Sequence, residues 1–208
     1  MTTPAPEARL APVPFAQWDD DTRTTLLAYL RRPELYLSGA PDAPPMPVVM
    51  ELLAHHVPLS ETFLAFTDLM ASKEATLDPS VRELLILRVA ARTGSGYEWN
   101  QHARMAKEVG LTDAQVDAVA EGSAAAIWAP EERTLLDVVD EMIDRFEVSD
   151  ETWRGLATSF QPAQLIEVLF VVGGYLALAA VLNSIGLRGE LPEHLAGMDA
   201  GADRGEHR

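Results

Sequence analysis

Residues 82–119 read RELLILRVAARTGSGYEWNQHARMAKEVGLTDAQVDAV. The pattern is helical on both sides of one break at Thr93-Gly94-Ser95-Gly96. Before the break, Leu84, Leu85, Ile86, Leu87, Val89, Ala90 and Ala91 surround the axis with apolar groups, the signature of a helix buried on most sides. Glu83 projects into that apolar part, between Leu87 and Ala90, where an acid calls for a specific partner, and His102 on the neighbouring helix is a candidate. After the break, at 3.6 residues per turn, Glu98, His102, Met105 and Val109 share one line, with Trp99 and Ala106 beside it. Tyr97, Asn100, Arg104, Lys107 and Glu108 take the other faces. A carboxyl at i and an imidazole at i+4 can reach each other. Burying both is costly unless they pair or meet a ligand.

The surroundings extend the helical reading. Asp78-Pro79 places an N-cap acceptor before a proline at the first helical position. Thr112 with Gln115 makes a capping box after Gly110, and Pro130 and Pro162 open two further helices. Helices are expected near 17–31, 46–56, 59–72, 79–93, 97–109, 112–121, 130–145, 149–158 and 162–185. No alternating β-branched run is long enough for a strand. The reading is a single all-α helical domain over 17–188. A Pro- and Ala-rich extended arm precedes it over 1–16, and a disordered tail rich in Gly, Pro and acids follows over 189–208.

The whole chain narrows the chemistry. Its 208 residues carry 32 acids against 16 Lys and Arg, a formal charge of -16, which disfavours nucleic acid and anionic membrane surfaces. Zero cysteines exclude disulfides, thiolate metal sites, iron–sulfur clusters and thiol nucleophiles. The start, MTTPAPEARLAPVP, lacks the basic and apolar regions of a signal peptide, so a cytoplasmic protein is expected. The apolar run 168–182 falls short of the roughly 20 residues a membrane span needs, and is expected to be a core helix.

Glu83, Glu98 and His102 are the candidate acid–base groups. Two acids flanking one imidazole give the mutual tuning that proton-transfer catalysis uses. The simpler explanation is structural: Glu83 pairs with Arg82 or Arg88, and Glu98 with His102. A divalent cation on the three groups is a third option, disfavoured because the usual two-histidine helix motif is missing. Ser95 can contact substrate or merely cap the second helix. Tyr97 and Trp99 flank the motif as pocket candidates, Trp99 equally as core. His55, beside His56 and ahead of Pro58, is a further candidate for the same pocket. Tyr175 and Asn183 share a face of the last helix, where they close either the pocket or, as the preferred reading, an oligomer interface.

The run 82–119 resembles the carboxymuconolactone decarboxylase family, which includes the alkylhydroperoxidase D-like proteins. Leu77-Asp78-Pro79, Trp128-Ala129-Pro130-Glu131-Glu132 and Ser149-Asp150-Glu151-Thr152-Trp153 extend the resemblance over about 45–187. The peroxidase branch carries Glu, eleven residues, Cys, two residues, Cys, three residues, His. Glu83 and His102 match it, whereas Ser95 and Glu98 stand at the two cysteine positions. The resemblance therefore implies an alkylhydroperoxidase D-like bundle from a cysteine-less branch, without a thiol peroxidase cycle. It implies a cofactor-independent lyase or isomerase, in which His102 carries a proton to or from a small carbonyl, carboxylate or lactone substrate. Glu98 would orient or charge the imidazole and Glu83 would be a second acid or base. The alternative is a non-catalytic ligand-binding or structural helical protein. No metal and no cofactor are expected. A homo-oligomer (dimer, trimer or hexamer) is expected, because the helix from Pro162 carries more apolar surface than one small domain covers.

Overall fold

The computed structural model describes residues 9–38 and 43–187 of the chain. The first eight residues of the expected arm and the whole expected tail lie outside the described residues. Every regular element among the described residues is helical, as the sequence predicts. The chain forms two compact units, residues 1–75 and 76–208, each described by itself.

In the first unit, α1 (Asp20–Leu27) begins where the Asp19 side chain accepts the Thr22 N–H, at 2.8 Å. A short α2 (Pro33–Leu37) follows, then α3 (Val48–Leu53), which tightens into a 3-10 turn at Ala54–His56, and α4 (Val57–Ala71). Trp18, Leu26, Met46 and Met50 form the core, covered by flanking apolar groups such as Phe15, Leu30 and Leu64. The described part of the arm is tied down. Val13 N–H donates to the Glu51 carbonyl, Phe15 N–H donates to the Glu51 carboxylate at 2.8 Å, and the Trp18 indole donates to Val13 O at 2.9 Å. Three details differ from the sequence expectation. A 3-10 turn occupies Phe15–Gln17, α1 covers only Asp20–Leu27 of the helix expected over 17–31, and α2, five residues opened by a proline, is too short to show periodicity.

The second unit is built around α5 (Pro79–Thr93), which packs against α6 (Gly96–Glu108), α8 (Pro130–Arg145) and α10 (Pro162–Ile185). Asp78 caps α5 through the Ser80 N–H, and Gly94 ends it in the left-handed region at φ 65°. That turn folds α6 straight back onto α5. α7 (Asp113–Ala118) carries the expected capping box of Thr112 and Gln115 and runs on as a 3-10 segment, Val119–Ala124; α9 (Asp150–Ser159) begins on Ser149. The boundaries of α5, α8 and α10 are those expected, because a proline at the first helical position and a left-handed C-cap mark both ends of each.

α10 is long and apolar enough to cross a membrane by length and composition alone, with a mean hydropathy of 2.4. Here it packs along α5 and α8, burying Val168, Val171, Val172, Ala179 and Leu182, while Ile166, Phe170 and Val181 remain exposed on another face. Its N-terminal half is anchored where the Glu167 carboxylate accepts the backbone N–H of Thr76, at 2.6 Å.

Arg88 fastens α5 to α8 and to the segment after α7. It makes a bidentate pair with Asp140, at 2.8 and 2.7 Å, and Nη1 donates to the carbonyls of Val119 and Ala120. Gly122 sits against the guanidinium at φ 71°, and a Cβ there would stand 2.5 Å from Arg88 Nη2. Gly122→Ala therefore meets both a left-handed backbone and a clash, and breaking a buried ion pair costs about 3–5 kcal/mol. Urea unfolding of Gly122→Ala and of Arg88→Leu is expected to show losses above about 2 kcal/mol each. Losses below about 0.5 kcal/mol, the range of ordinary surface changes, would contradict the structural role assigned here.

Candidate active site

Glu83 lies in the first half of α5 and is fully buried. Each of its oxygens has a partner. Oε1 faces the Arg82 guanidinium at 3.4 Å, and Oε2 faces His102 Nδ1 at 2.7 Å. His102 reaches it from α6 because the Gly94 turn sets the two helices side by side. The carboxylate fixes the proton of the imidazole on Nδ1, so Nε2 is the nitrogen left to take or give a proton. Among the described residues Nε2 has no hydrogen-bond partner. The Tyr175 ring of α10 packs edge-on to the imidazole, with centroids 5.1 Å apart and planes at 89°.

One turn before His102, Glu98 is 2% exposed, and both its oxygens are buried without a well-formed hydrogen bond. Burial pushes its carboxyl up to about 7, and the nearby Ser95 hydroxyl pulls weakly the other way. Near neutral pH the group is thus poised between acid and base. Ser95 Oγ is fully buried and equally lacks a well-formed bond, so Ser95 does not cap α6 with its side chain.

The expected pairing of Glu98 with His102 is corrected by this geometry. The imidazole turns across to α5 and bonds Glu83, so Glu83 orients the ring and Glu98 keeps its oxygens uncommitted. The other candidates separate. Trp99 is buried at 3% exposure, a core position, and Tyr97 is half-buried at the start of α6. His55 belongs to the first unit, where Nε2 pairs with Ala11 O at 2.8 Å; His56 Nδ1 accepts the Leu59 N–H and caps α4. Asn183 donates from Nδ2 to Thr93 O at 2.8 Å, fastening the end of α10 to the end of α5. Of the two readings of Tyr175, its place at the imidazole agrees with the pocket one. No group of three or more His, Asp or Glu side chains that could hold a metal ion occurs among the described residues.

The raised carboxyl of Glu98 has a consequence for stability. A group whose folded value lies above its unfolded one favours folding most below the unfolded value, near 4.5, and loses that contribution as pH rises to about 7. Glu98→Gln removes the cost of ionisation. It is expected to match the native protein in stability near pH 4 and to exceed it by up to about 3 kcal/mol at pH 8. Urea titrations at both pH values check this, and a difference that does not grow with pH would contradict it.

Residues 58–141 match the sequence profile of the Carboxymuconolactone decarboxylase family. Curated proteins give no match in sequence. Among solved structures, the alkylhydroperoxidase AhpD core of a peroxidase-related protein from Ralstonia eutropha is 22% identical, with a TM-score of 0.72 over 93% of this chain and 97% of the other. A protein of unknown function from Agrobacterium tumefaciens, suggested to be an antioxidant-defence AhpD, is 14% identical, with a TM-score of 0.62 over 68% of this chain and 97% of that one. The debrominase Bmp8, as a cysteine-to-alanine variant with 2,3,4-tribromopyrrole, is 13% identical, with a TM-score of 0.62 over 95% and 96% of the two chains. These likenesses agree with the all-α, AhpD-like fold. The matched segment contains Glu83, Ser95, Glu98 and His102, so the site lies in the part of the chain that is similar to the carboxymuconolactone decarboxylase family.

Proposed function

We propose that the protein is a cofactor-independent lyase or isomerase that moves a proton on a small carbonyl, carboxylate or lactone substrate. The observation that carries this reading is the His102 imidazole, held through Nδ1 by a buried carboxylate, with an uncommitted carboxyl one turn away. The family match over residues 58–141 supports an enzymatic role, and the debrominase of similar fold is an enzyme built on such a bundle. With no cysteine, the chain has no thiolate for a disulfide-forming peroxidase cycle.

In this mechanism His102 Nε2 removes a proton from carbon beside the carbonyl. The electron pair moves onto the carbonyl oxygen, which takes a proton from neutral Glu98. Return of the proton from His102 to a different carbon, as the oxygen gives its proton back to Glu98, completes an isomerisation. In decarboxylation the carbon–carbon bond to the leaving carboxylate breaks instead, and His102, first protonated on Nε2 by solvent, protonates the carbon that held it. Glu83 keeps the imidazole in the required tautomer and offsets its charge when protonated.

His102→Gln is expected to abolish turnover of a lactone or keto acid, a loss of about 100-fold or more, with the helical circular dichroism unchanged. A variant that only lowers the melting temperature, together with native protein that turns over none of these compounds, would instead identify a ligand-binding or structural helical protein.

We also propose a homo-oligomer formed through the outward face of α10. Ile166, Phe170, Ala177 and Val181 recur there at helical spacing and are exposed, and a second copy of the same face would cover them. Sedimentation velocity is expected to show an assembly that Phe170→Asp reduces to monomers; a native monomer would refute the interface.

A further inference from the structure

Every cation on the two helices that carry the site is matched to an acid of the same chain. On α5, Arg82 stands 3.4 Å from Glu83, Arg88 2.7 Å from Asp140, and Arg92 2.7 Å from both Asp140 and Asp144. On α6, Arg104 stands 2.7 Å from Glu108 and Lys107 2.5 Å from Asp113. α10, which supplies Tyr175, carries Glu167 as its one charged residue. The site itself sets two carboxyls, Glu83 and Glu98, against one imidazole, and a protonated imidazole is already offset by Glu83.

On α6 and the turn before it, the buried polar atoms without a hydrogen-bond partner among the described residues are Ser95 Oγ and the two Glu98 oxygens; Asn183 Oδ1 on α10 is another. They offer acceptors and hydroxyl-type donors but no positive charge. A carboxylate entering here would give up its hydration, stand beside two carboxyls and meet no uncommitted cation among the described residues of α5, α6 and α10. An uncharged carbonyl or hydroxyl compound would use the same atoms as hydrogen-bond partners without that penalty.

We infer that the site selects an uncharged, oxygen-bearing substrate, such as a neutral lactone, ketone or ester, over the corresponding carboxylate. The inference rests on the proton-transfer reading of the same site and narrows it. An uncharged substrate has no carboxylate to lose as carbon dioxide, so isomerisation is the outcome. A carbon–hydrogen bond beside the carbonyl breaks, its proton passes to His102 Nε2 and its electron pair forms the enol, which is protonated on oxygen by Glu98. The enol then takes the His102 proton at a conjugated carbon and returns its oxygen proton to Glu98. Atoms and electrons balance with no co-reactant.

A matched probe pair tests this: 5-oxotetrahydrofuran-2-carboxylate and its methyl ester, which differ in charge on one skeleton. Saturation-transfer NMR on the full chain at neutral pH reads binding, and deuterium uptake beside the lactone carbonyl reads proton transfer. The ester is expected to bind at least about tenfold more tightly than the acid. Glu98→Gln, which removes the ionisable carboxyl, is expected to narrow that gap several-fold by improving acid binding. An acid that binds as tightly as the ester would overturn the inference, as would failure of both to bind. Ester binding without deuterium uptake above that of His102→Gln supports the charge preference but contradicts the proton-transfer reading.

Discussion

The buried carboxylate of Glu83 is the constraint on which the second unit depends. It sits on the most enclosed helix of the protein, where an ionised group without partners would be prohibitively costly. Arg82 and His102 answer its two oxygens, and the second of these fixes how α6 lies on α5. The Thr93-Gly94-Ser95-Gly96 turn makes this possible, because Gly94 accepts the left-handed geometry that reverses the chain. A single buried acid thereby ties helix register to imidazole orientation.

Two polar anchors on α5 show how structural and chemical roles part. Arg88 is saturated: a bidentate carboxylate and two carbonyls occupy its guanidinium, and Gly122 seals it. Nothing remains for a ligand, and its place in the fold is to hold α8 and the segment after α7. Glu98 is the reverse, buried yet uncommitted, and its carboxyl is pushed toward neutrality by that burial. Unmet hydrogen-bonding capacity in a buried acid is a stability cost that folding alone does not explain. With Ser95 at the turn and Glu98 in the first turn of α6, the site carries buried oxygens and no sulfur.

Much of this was legible in the residues. Proline at the first helical position, caps at Asp78 and Thr112, and the apolar periodicity of 84–91 and 162–185 fixed the long helices, since each signal is local. The burial of Glu83 and Glu98 followed from their place within apolar arcs. The pairing was legible only as one candidate among others. His102 on the neighbouring helix was a candidate partner for Glu83, but helical spacing also offered His102 the nearer Glu98, and the choice depends on how two helices pack. Tyr175 was named for the pocket or an interface, and spacing alone could not choose, because its contact with the imidazole comes from a third helix. The short α2 left no periodic trace, and the anchoring of residues 13–18 by Glu51 is a long-range contact.

The account stands or falls on His102 Nε2 being the working atom. Heteronuclear NMR of the imidazole nitrogens in the native protein, above the pH at which the ring becomes neutral, reads this directly. The predicted result is a proton on Nδ1, shared with Glu83, and a bare lone pair on Nε2. A neutral ring protonated on Nε2 would contradict the account, because the nitrogen facing Glu83 would then lack the proton that the buried contact requires.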